Sequence, residues 1–228
     1  MKRQVVICSL MLLLGWTAKA GVIYSSFANN GLIPDGSATG TAGTATTTGY
    51  LPSLSDISVT LNISGRYNGD LYAGLSYGGV LVPLLNRVGV TSGDGFGYGN
   101  TGFSVTLSSA GANDVHSYGS HSPSFNGDGQ LTGTWQPDGR TIDPQSSPSS
   151  FDSASRVGFE SFDGMNPNGT WTLFLADLSM SEQSTLVSWS LDITAIPEPT
   201  NIALGILAGG FVVCQAVRRW RSRARRQS

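Results

Sequence analysis

Residues 162–193, FDGMNPNGTWTLFLADLSMSEQSTLVSWSLDI, decide how the chain is read. The polar turn Asn166-Pro167-Asn168-Gly169 leads into Thr170-Trp171-Thr172-Leu173-Phe174-Leu175-Ala176-Asp177, where β-branched and aromatic residues crowd as they do in strands. A loop of Ser, Met, Glu and Gln follows. Leu186–Ile193 then places Val187, Trp189, Leu191 and Ile193 on one face and Ser188, Ser190 and Asp192 on the other. The pair is expected as the closing hairpin of an all-β domain.

Working outward, Ile57-Ser58-Val59-Thr60-Leu61-Asn62-Ile63 alternates with period two, as in a strand half buried against a second sheet. Asn68-Gly69-Asp70-Leu71 is a turn, and Leu81–Val88 and Phe103, Val105 and Leu107 supply further strands. Val115, Phe125 and Leu131 are isolated anchors, and Trp135, Trp171 and Trp189 are expected in the core. Many short strands between Gly, Asp and Asn turns define an all-β sandwich. Before them, residues 21–50 form a Gly/Ala/Thr-rich segment: Tyr24, Phe27 and Ile33 fit a first strand, whereas Ala38–Thr48 is too small and polar to bury much and is expected as a loop.

These blocks resemble the P domain (P/Homo B domain) that follows the catalytic domain of kexin-like and furin-like subtilases. The resemblance rests on Asn166–Leu173, Ala176-Asp177-Leu178 and Ser188-Trp189-Ser190-Leu191 at the end, and earlier on Ser55–Val59, Tyr67-Asn68-Gly69-Asp70-Leu71 and Leu84-Leu85-Asn86-Arg87. It implies a jelly-roll-like antiparallel β-sandwich over residues 51–195. The family often has His two residues before the Tyr, where this chain has Gly65.

The chain has 228 residues and 2 cysteines, Cys8 and Cys214, both in apolar terminal segments. The middle therefore has no thiol for a disulfide or a zinc site. The formal net charge of -2 hides a segregation: all 15 acidic residues lie between Asp35 and Glu198, while Arg66, Arg87, Arg140 and Arg156 are the basic residues among them. An acidic middle argues against nucleic-acid binding, which needs cationic surface.

At the N-terminus, Lys2 and Arg3, an apolar run from Val5 to Trp16 and the small-x-small Ala18-Lys19-Ala20 form a secretory signal peptide over residues 1–20. At the other end, residues 196–228 join Pro197-Glu198-Pro199, an uncharged stretch 202–217 read as one transmembrane helix, and the basic tail Arg218, Arg219, Arg221, Arg223, Arg225 and Arg226. An apolar run followed by arginines places the arginines in the cytoplasm. Sixteen residues at ~1.5 Å each fall short of a ~30 Å hydrocarbon core, so the arginines are expected to snorkel. The ordered trio resembles the PEP-CTERM sorting signal of exopolysaccharide-producing bacteria. It implies an exosortase as partner, an inner-membrane precursor, cleavage near Pro197-Glu198-Pro199, and delivery to the cell surface or extracellular matrix.

No catalytic centre is expected. His116 and His121 stand five apart in a Gly/Ser loop, a spacing suited to solvated side chains rather than joint metal ligation. Glu160 and Glu182 are available as a carboxylate pair, but no local motif selects them for glycoside hydrolysis. No cofactor is expected, although Asp94-Gly95-Phe96-Gly97, Asn113-Asp114 and Asn126-Gly127-Asp128-Gly129 are oxygen-rich loops of the kind that wrap calcium. Tyr67, Tyr72, Tyr77, Phe96, Tyr98 and Tyr118 lie in or near Gly-rich turns, where rings stack on sugar faces or plug the core. The first functional expectation is a non-enzymatic exported module that interacts with polysaccharide or a surface protein. The alternative is an accessory P-domain subunit that stabilises a separately encoded subtilisin-like protease.

Overall fold

The computed structural model describes residues 19–24, 31–197 and 199–224. Among the described residues nine strands and one α-helix, with short 3-10 turns between strands, follow in order: β1 (Lys19–Tyr24), β2 (Ser37–Thr47), β3 (Ser53–Ser64), β4 (Leu71–Tyr77), β5 (Val80–Asn86), β6 (Gly102–Ser108), β7 (Leu131–Trp135), β8 (Gly169–Asp177), β9 (Thr185–Ile196) and α1 (Pro199–Ala224). They form a five-stranded sheet in the order β1-β9-β3-β6-β7 and a four-stranded sheet in the order β2-β8-β4-β5. All neighbouring pairs are antiparallel except β6 and β7.

The core lies where the alternating apolar faces of the two sheets meet. Ile57, Val59, Leu61 and Ile63 of β3 and Phe103, Val105 and Leu107 of β6 are buried from one sheet. Leu71, Ala73 and Leu75 of β4 and Trp171, Leu173 and Leu175 of β8 are buried from the other. Tyr77 stacks on Trp171 with ring centroids 4.0 Å apart, and Phe162 meets the same indole edge-on. The expected core tryptophans are all inside.

Three local expectations change. β8 and β9 are not a hairpin: β8 pairs β2 and β4 in one sheet, β9 pairs β1 and β3 in the other, and residues 178–184 arch between the sheets. Both strands are apolar on one face, so each closes a different side of the same core. Val187 does not face inward. Between the pairs Asn62↔Ser188 and Ile63↔Leu186 the register skips it, leaving Val187 58% exposed as the extra residue of a β-bulge while Leu186 is buried. Ala38–Thr48, expected as a loop, is almost entirely β2, held by the β8 ladder with Ala45 and Thr47 buried. Backbone pairing to a central strand stabilises what the small side chains do not.

The expected signal peptide falls on residues 1–18, outside the described residues, apart from Lys19 and Ala20, which open β1. Pro197 is buried where β9 ends, Pro199 opens α1, and Glu198, Arg225 and Arg226 lie outside the described residues. Arg218, Arg219, Arg221 and Arg223 lie on α1. The stretch 202–217 is helical, but among the described residues no helix is long and apolar enough to cross a membrane. The expected transmembrane helix is corrected accordingly: Gly205, Gly209, Gly210 and Gln215 dilute the run, and Arg218 and Arg219 end it early.

Candidate functional site

The four-stranded sheet gathers carboxylates at one end. β8 ends at Asp177, which pairs with Leu71 at the start of β4 and with Ser37 at the start of β2. Three adjacent strands therefore bring Asp35, Asp70 and Asp177 to one edge. The 3-10 turn Asn68–Asp70 feeds β4, and the Leu178 amide donates to the Asp70 carbonyl at 3.0 Å. The arch 178–184 folds over this edge: the Ser181 amide donates to Asp35 Oδ2 at 3.0 Å, and the Ile33 amide donates to the Ser184 carbonyl at 3.0 Å.

Asp177 is 1% exposed, and neither carboxylate oxygen has an aligned hydrogen bond. The Ser184 hydroxyl, at 0% exposure, is likewise without one. Burial pushes the Asp177 carboxyl up to about 6, with the charges of Asp70 and Asp35 adding to the rise; the nearby Ser184 hydroxyl and Ser179 amide oppose it. Asp70 is also raised, chiefly by burial, against the pull of Ser179 and Arg87. Arg87 gives its hydrogen bonds to the Gly69 and Gly95 carbonyls, and no ion pair among the described residues includes Asp35, Asp70 or Asp177. Gly65 walls the site: its φ is +143°, and a Cβ there would lie 2.6 Å from Ser184 Oγ. A side chain has no room at this position.

A second polar cluster is fully paired. His116, 3% exposed and thus no solvated loop residue, directs Nδ1 to Asp138 Oδ2 at 2.7 Å and Nε2 to the Val90 carbonyl at 3.0 Å. Both ring nitrogens are thereby engaged by oxygens. Arg140 pairs Asp138 at 3.1 Å and Arg156 pairs Asp114 at 3.1 Å. The cluster clamps the segment 137–157 over the free edge of β5, where the Asp138 and Gly139 amides bond the Leu84 and Pro83 carbonyls. With both nitrogens engaged, His116 has none left to serve as a general base. His121 is exposed, its Nε2 3.4 Å from Ser117 Oγ.

Gly74-Leu75-Ser76-Tyr77-Gly78 fits the Gly-x-Ser-x-Gly pattern of a serine nucleophile, against the expectation of no catalytic centre. It is no nucleophile elbow: Ser76 sits inside β4, paired with Thr172 and Leu81, where the elbow requires a strand-to-helix turn. Glu160 accepts from the Gly158 amide, whereas Glu182 stands 3.9 Å from Arg66, so the two are engaged separately. In the loops expected for calcium, one side-chain oxygen each of Asp94, Asn126 and Asp114 is turned onto the loop's own amides. Asp94 Oδ1 accepts the Phe96 and Gly97 amides, Asn126 Oδ1 those of Asp128 and Gln130, and Asp114 Oδ1 that of Ser117.

The outer face of the four-stranded sheet carries a groove of about 410 Å³ lined by aromatic and aliphatic side chains together with Thr141, Asp143 and Gln145. Tyr72 and Phe174 form its floor, ring centroids 6.0 Å apart, with Leu178 and Ile142 on its walls and Asp143 at its rim. Gly40, at φ +52°, leaves room for the Phe174 ring, which a Cβ would approach to 2.6 Å. Of the other aromatics, Tyr118 is buried against Tyr98, whereas Phe96 is 75% exposed.

The chain matches no family model and no curated protein. Among solved structures it is similar to the Aeromonas sobria serine protease in its complex with a chaperone, at 15% identity and a TM-score of 0.41. The likeness covers 78% of this chain and 26% of that one. The same protease solved by itself gives 15% identity and a TM-score of 0.38 over the same shares. Likeness of this degree assigns neither a family nor an activity.

Proposed function

We propose that this chain is a non-enzymatic, jelly-roll-like P-domain module that works by docking on a protein, as an accessory subunit stabilising a separately encoded subtilisin-like protease. The observation that supports this reading is the Tyr72–Phe174 groove on the outer face of the four-stranded sheet. Such a surface gains free energy when a partner removes it from water. Its rim carries Asp143, so the complementary surface is an apolar ridge flanked by basic side chains. The test is affinity purification of the tagged chain from its host, beside a Tyr72→Ser/Phe174→Ser variant with an unchanged thermal transition. A subtilase recovered with the parent and lost with the variant is the expected result. Equal recovery with both, or no subtilase with either, overturns the reading.

The second reading is an exported module for exopolysaccharide, favoured by the exposed rings of Tyr67, between β3 and β4, and Phe96, between β5 and β6. In either case we propose export through the signal peptide and sorting by an exosortase at Pro197, Glu198 and Pro199, to the cell surface or the matrix. Intact mass of the protein from cell envelope and from culture medium tests the route. Loss of residues 1–20 with a new end near Pro197–Thr200 supports it; retention of Arg218–Ser228 in every species overturns it.

A further inference from the structure

We propose that the buried oxygens of Asp177 and Ser184, at an edge made acidic by Asp70 and Asp35, bind a hard divalent cation, Ca²⁺ by its all-oxygen ligand set. Three buried oxygens there, both of Asp177 and the hydroxyl of Ser184, make no well-aligned hydrogen bond, although the Ser184 hydroxyl and the Ser179 amide are close enough to ease the Asp177 charge in part. Buried polar atoms left unmatched cost stability, and a buried carboxylate without a counter-charge costs more. The neighbours sharpen the deficit. Asp70 and Asp35 add negative charge; Arg87 draws on Asp70 alone and directs Nε and Nη2 to the Gly69 and Gly95 carbonyls.

A proton relieves one oxygen of Asp177 and leaves the rest of the cluster as it is. A cation serves both carboxylate oxygens, the serine hydroxyl and the Asp70 charge together. The described residues contain no three His, Cys, Asp or Glu side chains that hold an ion unaided, so hydroxyl and backbone oxygens of the arch 178–184 must complete the shell. Ca²⁺ accepts such mixed oxygen shells of six to eight ligands with irregular geometry, whereas Mg²⁺ demands a near-ideal octahedron. The arch carries Ser179, Ser181 and Glu182 and no bulky ring, and Gly65 keeps the space behind Ser184 free of a side chain.

The experiment is thermal unfolding of the full chain at neutral pH after EDTA treatment, with and without CaCl₂, together with calorimetric titration of CaCl₂. The expected result is a saturable rise in Tm of about 5–10 °C, because a ligand bound to the native state alone raises it. Asp177→Asn should abolish both the rise and the calorimetric heat while melting, metal-free, no lower than the parent, since it removes a buried charge without changing shape. Should that variant fail to fold, Asp70→Asn is read in its place, with a fall in affinity of at least tenfold expected. No Tm response in the parent, or a response that survives these substitutions, overturns the proposal. Neither result bears on the groove of the accessory-subunit reading, which lies on the outer face of the sheet and is tested by partner recovery.

Discussion

At the scale of single residues, Gly65 and Asp177 carry the site. Gly65 has φ +143° and a phantom Cβ only 2.6 Å from Ser184 Oγ, whereas Gly79 has φ +84° and open space around it. Both positions strain an L-residue, but only Gly65 adds a collision. Gly65→Ala is expected to destabilise by about 3 kcal/mol and Gly79→Ala by about 1 kcal/mol in urea unfolding. Asp177 sets a pH dependence. Its carboxyl is raised in the folded state to about 6, so the protein binds more protons folded than unfolded between the two titrations. Without divalent cation, stability is highest below the ordinary carboxylate range and falls as pH rises through about 6. Asp177→Asn should flatten that slope, gaining on the order of 2 kcal/mol relative to the parent at neutral pH. Little of this was visible in advance. Asp70 and Asp177 stood out only as parts of Gly-Asp-Leu and Ala-Asp-Leu, because their meeting depends on strand register across 107 positions of chain, not on local spacing.

At the scale of elements, β9 shows how one extra residue rewrites a face. Simple alternation puts Val187 with Trp189, but the bulge exposes Val187 and buries Leu186. Val187→Ser is expected to change stability by less than about 0.5 kcal/mol, while Leu186→Ala costs about 2–4 kcal/mol by equilibrium denaturation. The reverse order would put the bulge elsewhere. β2 makes the complementary case. Its Gly, Ala and Thr residues offer almost no apolar periodicity, and it exists because β8 needs a partner on its far edge. The same pairing requirement explains why the arch 178–184 crosses between sheets instead of closing a hairpin.

At the scale of the molecule, the sandwich and α1 are energetically separable. Residues 207–220 of the helix are all exposed, so they take no share in the core. Removing the chain after Ile196 is expected to leave the thermal midpoint of the sandwich within about 2 °C, as measured by circular dichroism at the β-sheet wavelength. A larger fall would mean that α1 packs on the sheet.

Sequence alone determined the all-β class, the strands β3, β5, β6, β8 and β9, and the burial of Trp135, Trp171 and Trp189, but not β4, whose start reads as a turn. These follow from side-chain alternation and β propensity, which act over a few neighbouring residues. Tertiary structure alone decided which sheet each strand joins, the bulge at Val187, the burial of His116 and the gathering of Asp35, Asp70 and Asp177. Each depends on pairing between residues far apart in sequence, where the free energy of closing the core selects one register among several that local preferences leave equal.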